Sequence, residues 1–264
     1  MMTATITHKE IEDVIQLSGR RKRPVVVAEG PVRSHHKLQM VRRPSSQVPL
    51  QGYVDAEQTV VPGLLQLLCI LVLDRFVMAV KQGEPIDHFK KTLIFFRDSN
   101  QMALVNSWLI TTTGYQTYDD SPFAMNHATL STSDEAMLMR RKNKILLYLT
   151  TNRMLLGVDL ADILQIIIVR PPNLVHAILQ AMGRAGRLLR SGMRRKALTY
   201  ILFNAQDLGG NVLGMTDQMR EICRSSDTCV KKVLRQMFVG SYSSALVPGA
   251  VECCSSCDRM AERM

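Results

Sequence analysis

Ile166-Ile167-Ile168-Val169 is apolar at every position and is followed by a helical pattern running from about Asn173 to Met182. A strand without a polar face has to be covered on both sides, the condition of a strand inside a parallel sheet flanked by helices. Leu93 to Phe96, Ile145 to Leu149 and Leu198 to Phe203 repeat the pattern, with helix-like stretches between them. Asp98 or Ser99 is placed to cap a helix carrying Met102, Leu104, Val105, Trp108 and Leu109. The expected fold is α/β, a parallel sheet with helices on both faces. In such sheets crossovers are right-handed and ligands gather at the carboxyl ends of the strands. The polar segments expected there are Arg97 to Asn100, Thr150 to Asp159 and Gly183 to Arg187.

The 264 residues include 33 Lys plus Arg against 23 Asp plus Glu, with 46% hydrophobic residues. That content excludes a disordered tail and a fibrous chain, and the net charge of +10 favours polyanionic partners. The longest apolar run, Gly63 to Val80, is interrupted by Gln66, Asp74 and Arg75. It is expected to be a buried core helix and not a membrane span, with Cys69 as a small core side chain. The amino-terminal residues have no basic start followed by an apolar core, so no secretory signal is expected and the protein is placed inside the cell. Residues 5 to 27 read as a helix, a basic run Arg20 to Arg23 and a strand Val25 to Val27; residues 44 to 63 read as a loop or linker.

Gln180-Ala181-Met182-Gly183-Arg184-Ala185-Gly186-Arg187 carries the chemistry. Two guanidiniums three residues apart can enter one cleft, and a guanidinium is suited to neutralising charge on a transferring phosphoryl group. Glycines inside a helix cost ~1 kcal/mol each, which a merely solvated basic face does not explain.

This string resembles the sixth motif, Q-x-x-G-R-x-G-R, of the second motor lobe of superfamily 2 helicases. Lys91 to Phe96 resembles the fourth motif, His127-Ala128-Thr129-Leu130 a string between the fourth and fifth, and Thr150 to Asp159 the fifth. Thr3-Ala4-Thr5 and the helix His8 to Ile15 resemble the third motif of RecQ-like DNA helicases, and Leu38 to Arg43 the opening strand of their second lobe. The resemblance implies a RecA-like helicase C-terminal lobe with arginine fingers at Arg184 and Arg187. It also implies nucleotide contacts at Gln180, Gly183, Gly157 and Asp159, and nucleic-acid contacts at Thr150, Thr151, Arg97 and His127.

Five of the six cysteines, Cys223, Cys229, Cys253, Cys254 and Cys257, lie near the carboxyl terminus. In a reducing compartment such a cluster favours metal over disulfide. The segment after Cys229, with Val233, Leu234, Phe238 and Gly240, and the string Cys254-Ser255-Ser256-Cys257-Asp258 resemble the zinc platform of RecQ-like proteins. The resemblance implies one structural Zn²⁺. Cys223, Cys229, Cys254 and Cys257 are the expected ligands, with Cys253 as the alternative to Cys223 because the family's fourth cysteine is replaced by Met260.

The expected domains are residues 1–30 as a remnant of a first RecA-like lobe, 31–205 as the C-terminal motor lobe and 206–264 as a helical zinc-binding subdomain. No stretch supplies the phosphate cradle G-x-x-x-x-G-K. Ser133-Asp134-Glu135-Ala136 resembles an acidic motor string but stands out of order and reads as a helix start. ATP and Mg²⁺ are therefore expected only together with a first lobe. The implied activity is that of an ATP-dependent 3′–5′ DNA helicase of RecQ type acting on single-stranded or forked DNA, with roles in DNA repair and recombination in the nucleus. The alternative is a non-enzymatic lobe that binds nucleic acid or protein.

Overall fold

The computed structural model describes residues 36–44, 63–83, 89–115, 120–126, 132–151, 162–186, 196–224, 228–239, 253–255 and 257. Six strands form one sheet: β1 His36–Arg42, β2 Thr92–Phe96, β3 Phe123–Asn126, β4 Leu147–Thr150, β5 Gln165–Val169 and β6 Ala197–Phe203. Their order across the sheet is β1-β6-β5-β2-β4-β3, and each neighbouring pair is parallel.

The all-apolar runs sit where that composition requires. In β2, Leu93 and Phe95 join one buried cluster and Ile94 and Phe96 the other; in β5, Ile166 and Ile168 face opposite to Ile167 and Val169. Side chains alternate across a strand, so each strand feeds both layers, and each such buried aliphatic contributes ~1.5–3 kcal/mol. Against one face pack α1, Gly63–Gln82, and α2, Ser99–Thr113. The other is covered by α4, Val175–Met182, α5, Asp217–Arg224, and α6, Val230–Val239, with Leu138 of α3, Thr132–Arg141, in the same cluster.

The expected core helix is present as α1. By length and composition alone it could cross a membrane, yet Leu64, Leu65, Leu68, Cys69, Val72, Leu73, Phe76 and Val77 are buried in the α1/α2 layer. Its middle, Cys69–Leu73, is wound as a π-helix. Asp98 caps α2 by accepting a hydrogen bond from the Asn100 N–H at 2.9 Å, and Gly114 ends that helix in the left-handed conformation. Leu104 faces outward instead of inward. β3 was not anticipated: Phe123-Ala124-Met125-Asn126 is a short edge strand with no β-branched residue.

The segments read as a first-lobe remnant, the basic run and the linker lie outside the described residues, as do His127, Gly157, Asp159 and Arg187.

Candidate functional site: a strand-tip cleft, a docked glycine-arginine turn and a four-thiol cluster

β2 and β5 are neighbours, but the helices that follow them leave to opposite faces, α2 to one side and α4 to the other. Such a divergence opens a crevice at the carboxyl ends of the strands. A cavity of about 290 Å³ occupies this place, lined among others by Phe96, Arg97, Arg170, Pro171, Asn173 and Gln180. Arg97 is exposed at the tip of β2. Arg170 has a φ of 72°, uncommon for a residue with a Cβ, and its N–H donates to the Leu202 carbonyl at 3.0 Å. Arg97, expected as a nucleic-acid contact, and Gln180, expected as a nucleotide contact, share this cavity; Arg170 joins them, an arginine whose place between a buried strand and Pro-Pro is a visible signal.

Thr150 differs from expectation. It is fully buried in β4 and its hydroxyl donates to the Thr151 carbonyl at 2.9 Å. Thr151, one residue further, is half-buried at the strand tip.

Gly183 to Gly186 lie at the opposite end of the sheet from the expected one. The Gly186 N–H donates to the carbonyl of Ile163, just before β5 begins, at 2.9 Å. His36 Nε2, at the first residue of β1, is 2.9 Å from the Ala185 carbonyl oxygen. The reason is geometric: α4 starts beyond the carboxyl end of β5 and runs back along the sheet, so its end reaches the amino ends of the strands. Gly186 has a φ of 60°, which glycine alone adopts without strain. The backbone of the turn is thereby fixed to two strands, and Arg184 projects from it half-buried.

Behind this face, the sulfur atoms of Cys229, Cys253, Cys254 and Cys257 all lie within 4.8 Å of one another. Cys253–Cys229, Cys254–Cys229 and Cys254–Cys257 are separated by 3.5, 3.9 and 3.7 Å. A tetrahedral zinc with Zn–S ~2.3 Å has sulfur–sulfur edges of ~3.8 Å, so the four thiols fit that ion. Hydrogen bonds with Cys229 and Cys253 push the Cys254 thiol down, while hydrogen bonds push Cys253 up and burial pushes Cys257 up, so without a metal the cluster concentrates its negative charge on Cys254. Lys231 is buried beside them; burial pulls its pKa down, and the charges of the four cysteines push it back up.

Cys223 is not part of this group. It is buried in α5, where desolvation first and the Asp207 charge second push its thiol up to about 12. Cys253 takes the fourth place, since its backbone is anchored: its carbonyl accepts from the Leu38 N–H at 3.2 Å, while Ser255 Oγ accepts from the Met40 N–H at 3.1 Å. The cluster is therefore laid along the free edge of β1, with Leu38 and Cys254 paired as in a parallel bridge.

The parallel sheet with helices on both faces has the RecA-like fold of helicase C-terminal lobes, and residues 77–188 match the helicase conserved C-terminal domain. Among solved structures, the Mycobacterium smegmatis helicase Lhr bound to single-stranded DNA and AMP-PNP is similar over 94% of this chain, with 17% identity and a TM-score of 0.53; the match covers 27% of that helicase. Saccharomyces cerevisiae Dbp5 bound to RNA and ADP BeF3 matches over 84% of this chain and 52% of its own length, at 15% identity and a TM-score of 0.45. No curated protein sequence matches.

Proposed function

We propose that this chain is the C-terminal motor lobe and zinc platform of an ATP-dependent DNA helicase of RecQ type, working with a first lobe that grips the ATP phosphates and Mg²⁺. Arg184 and Arg187 act as fingers on the transferring phosphoryl group, and Gln180, Gly183, Gly157 and Asp159 are the further nucleotide contacts. Thr151, Arg97 and His127 contact one strand of single-stranded or forked DNA. Closure and release of the two lobes around ATP move the lobe 3′ to 5′ along that strand. Nuclear work in repair and recombination belongs to the same reading.

The observation that carries it is the sequel to the helicase domain: the same lobe ends in four thiols at zinc-compatible spacing, docked on its own first strand. Bound zinc supplies a structural cross-link there. The single-stranded DNA and AMP-PNP held by the similar Lhr structure support the ligand pair. A fixed backbone around Arg184 supports the finger role, because such a group acts only if aimed before the reaction.

The test is to join the chain to a first lobe that carries a phosphate cradle and measure DNA-stimulated ATP hydrolysis. Arg187→Ala lowers the rate by a factor of ~1,000 or more on this reading, the usual contribution of an arginine finger. An unchanged rate removes the assignment. Unwinding of duplexes with a 3′ tail but not a 5′ tail tests the polarity. Salt-dependent DNA binding that ignores nucleotide would point instead to a binding lobe without motor function.

A further inference from the structure

A second cavity, of about 350 Å³, opens at the carboxyl ends of β1 and β6, walled by Arg42, Arg43, Asn204, Cys223 and Arg224 among others. Arg43 of its wall is held from behind in an ion pair between residues far apart in the chain. Arg43, 5% exposed, donates from Nε at 3.1 Å and from Nη2 at 2.7 Å to the Asp207 carboxylate. Asp207 also accepts from the Asn204 N–H at 2.9 Å, and Arg170 Nε stands 3.5 Å from it. The carboxylate's acceptor capacity is thus spent inside the wall.

What remains is donor capacity. Arg43 Nη1 and Asn204 Nδ2 are buried without a hydrogen-bond partner, and no orphaned acceptor belongs to this wall among the described residues. A buried unpaired donor is destabilising, more so when it is charged. Arg42 is exposed at the rim, and Arg224 donates through Nη2 to the Leu208 carbonyl at 3.2 Å. Three guanidiniums against one satisfied carboxylate leave the cavity positive, and the Cys223 thiol stays neutral at pH 7 because burial and Asp207 raise its pKa.

We propose that this cavity is an oxyanion site that takes a phosphate group. A tetrahedral phosphate offers several charged acceptor oxygens, which suits donors arriving from β1, from the end of β6 and from α5. The group belongs either to a small phosphorylated molecule or to the backbone of a nucleic-acid strand. The site is distinct from the β2/β5 crevice and does not depend on the motor reading.

The test uses the full chain, inorganic phosphate and a labelled thymidine oligonucleotide, at constant ionic strength set with KCl. Thermal midpoints are followed against phosphate for the wild type, Asn204→Asp and Arg42→Gln. Asn204→Asp retains the oxygen that accepts from the Asp207 N–H at 3.0 Å but replaces the orphaned donor with a negative oxygen. Saturable stabilisation by phosphate is expected in the wild type, with apparent affinity weakened ~10-fold or more in Asn204→Asp and less in Arg42→Gln. If Asn204→Asp does not fold, Arg42→Gln decides, because that side chain is exposed and outside the Asp207 ion pair. Oligonucleotide that displaces phosphate identifies strand phosphate as the source; oligonucleotide that does not identifies a small phosphorylated molecule. No stabilisation beyond that of matched KCl, or equal stabilisation in the wild type and both variants, overturns the proposal. ATP hydrolysis is not a readout, so failure of the motor reading leaves this result standing.

Discussion

The two faces of the sheet are built from equally apolar strands but covered by different material. On one side α1 and α2 present an almost unbroken aliphatic and aromatic layer, closed by edge-to-face contacts of Phe76 with Phe89 and Phe123. On the other, the covering helices end in or lie beside polar devices: the turn after α4, the Arg43–Asp207 pair, and the thiol cluster next to α6. Alternation along each strand serves both layers at once, so the inert face fixes the strands whose ends carry the chemistry.

That contrast can be broken by substitution, beginning with the strongest expected effect. Cys254→Ser combined with Cys257→Ser should abolish stoichiometric zinc in elemental analysis and destabilise the protein by more than ~5 kcal/mol in urea melts, because the metal's binding energy is also folding energy. Within the same group, Cys253→Ser should lose zinc while Cys223→Ser retains it; the reverse would restore the ligand set first read from the sequence. Asp207→Ala leaves a buried guanidinium without its carboxylate and should cost ~3–5 kcal/mol by the same melts.

Leu68→Ala on the inert face should cost ~2–5 kcal/mol yet leave zinc content unchanged; loss of metal would show the faces to be coupled. Gly186→Ala, at positive φ, should cost ~1–2 kcal/mol. The smallest effect concerns pH. The Cys223 thiol is raised to about 12 in the folded chain. Above the unfolded thiol's pKa of ~8.5 the unfolded state alone ionises, so stability falls with rising pH until the folded pKa is reached. At pH 9 the loss is below ~1 kcal/mol, and Cys223→Ala should remove it.

Much of the fold was legible because a strand buried on both faces leaves an unmistakable run, as at Leu93 to Phe96 and Ile166 to Val169. β3 was not legible, since an edge strand of four residues carries too little pattern to separate it from a loop. The arginine-bearing motif could be read as chemistry, but its end of the sheet depends on the direction of α4, which a one-dimensional pattern does not encode. The nucleic-acid contact at Thr150 rested on its resemblance to the start of the fifth helicase motif; its burial depends on neighbouring strands. The fourth thiol and the Arg43–Asp207 pair share one obstacle. Arg43 and Asp207 are 164 positions apart, and Cys253 reaches its place through a hydrogen bond to Leu38, so only tertiary structure brings these groups together.

The most direct measurement is a structure of the chain joined to a first motor lobe and trapped with Mg²⁺ and a non-hydrolysable ATP analogue. The guanidiniums of Arg184 and Arg187 are expected within hydrogen-bond distance of the γ-phosphate, with the Ile163–Gly186 and His36–Ala185 contacts intact. A closed complex in which both side chains point away from the nucleotide would contradict the finger assignment and, with it, the motor function.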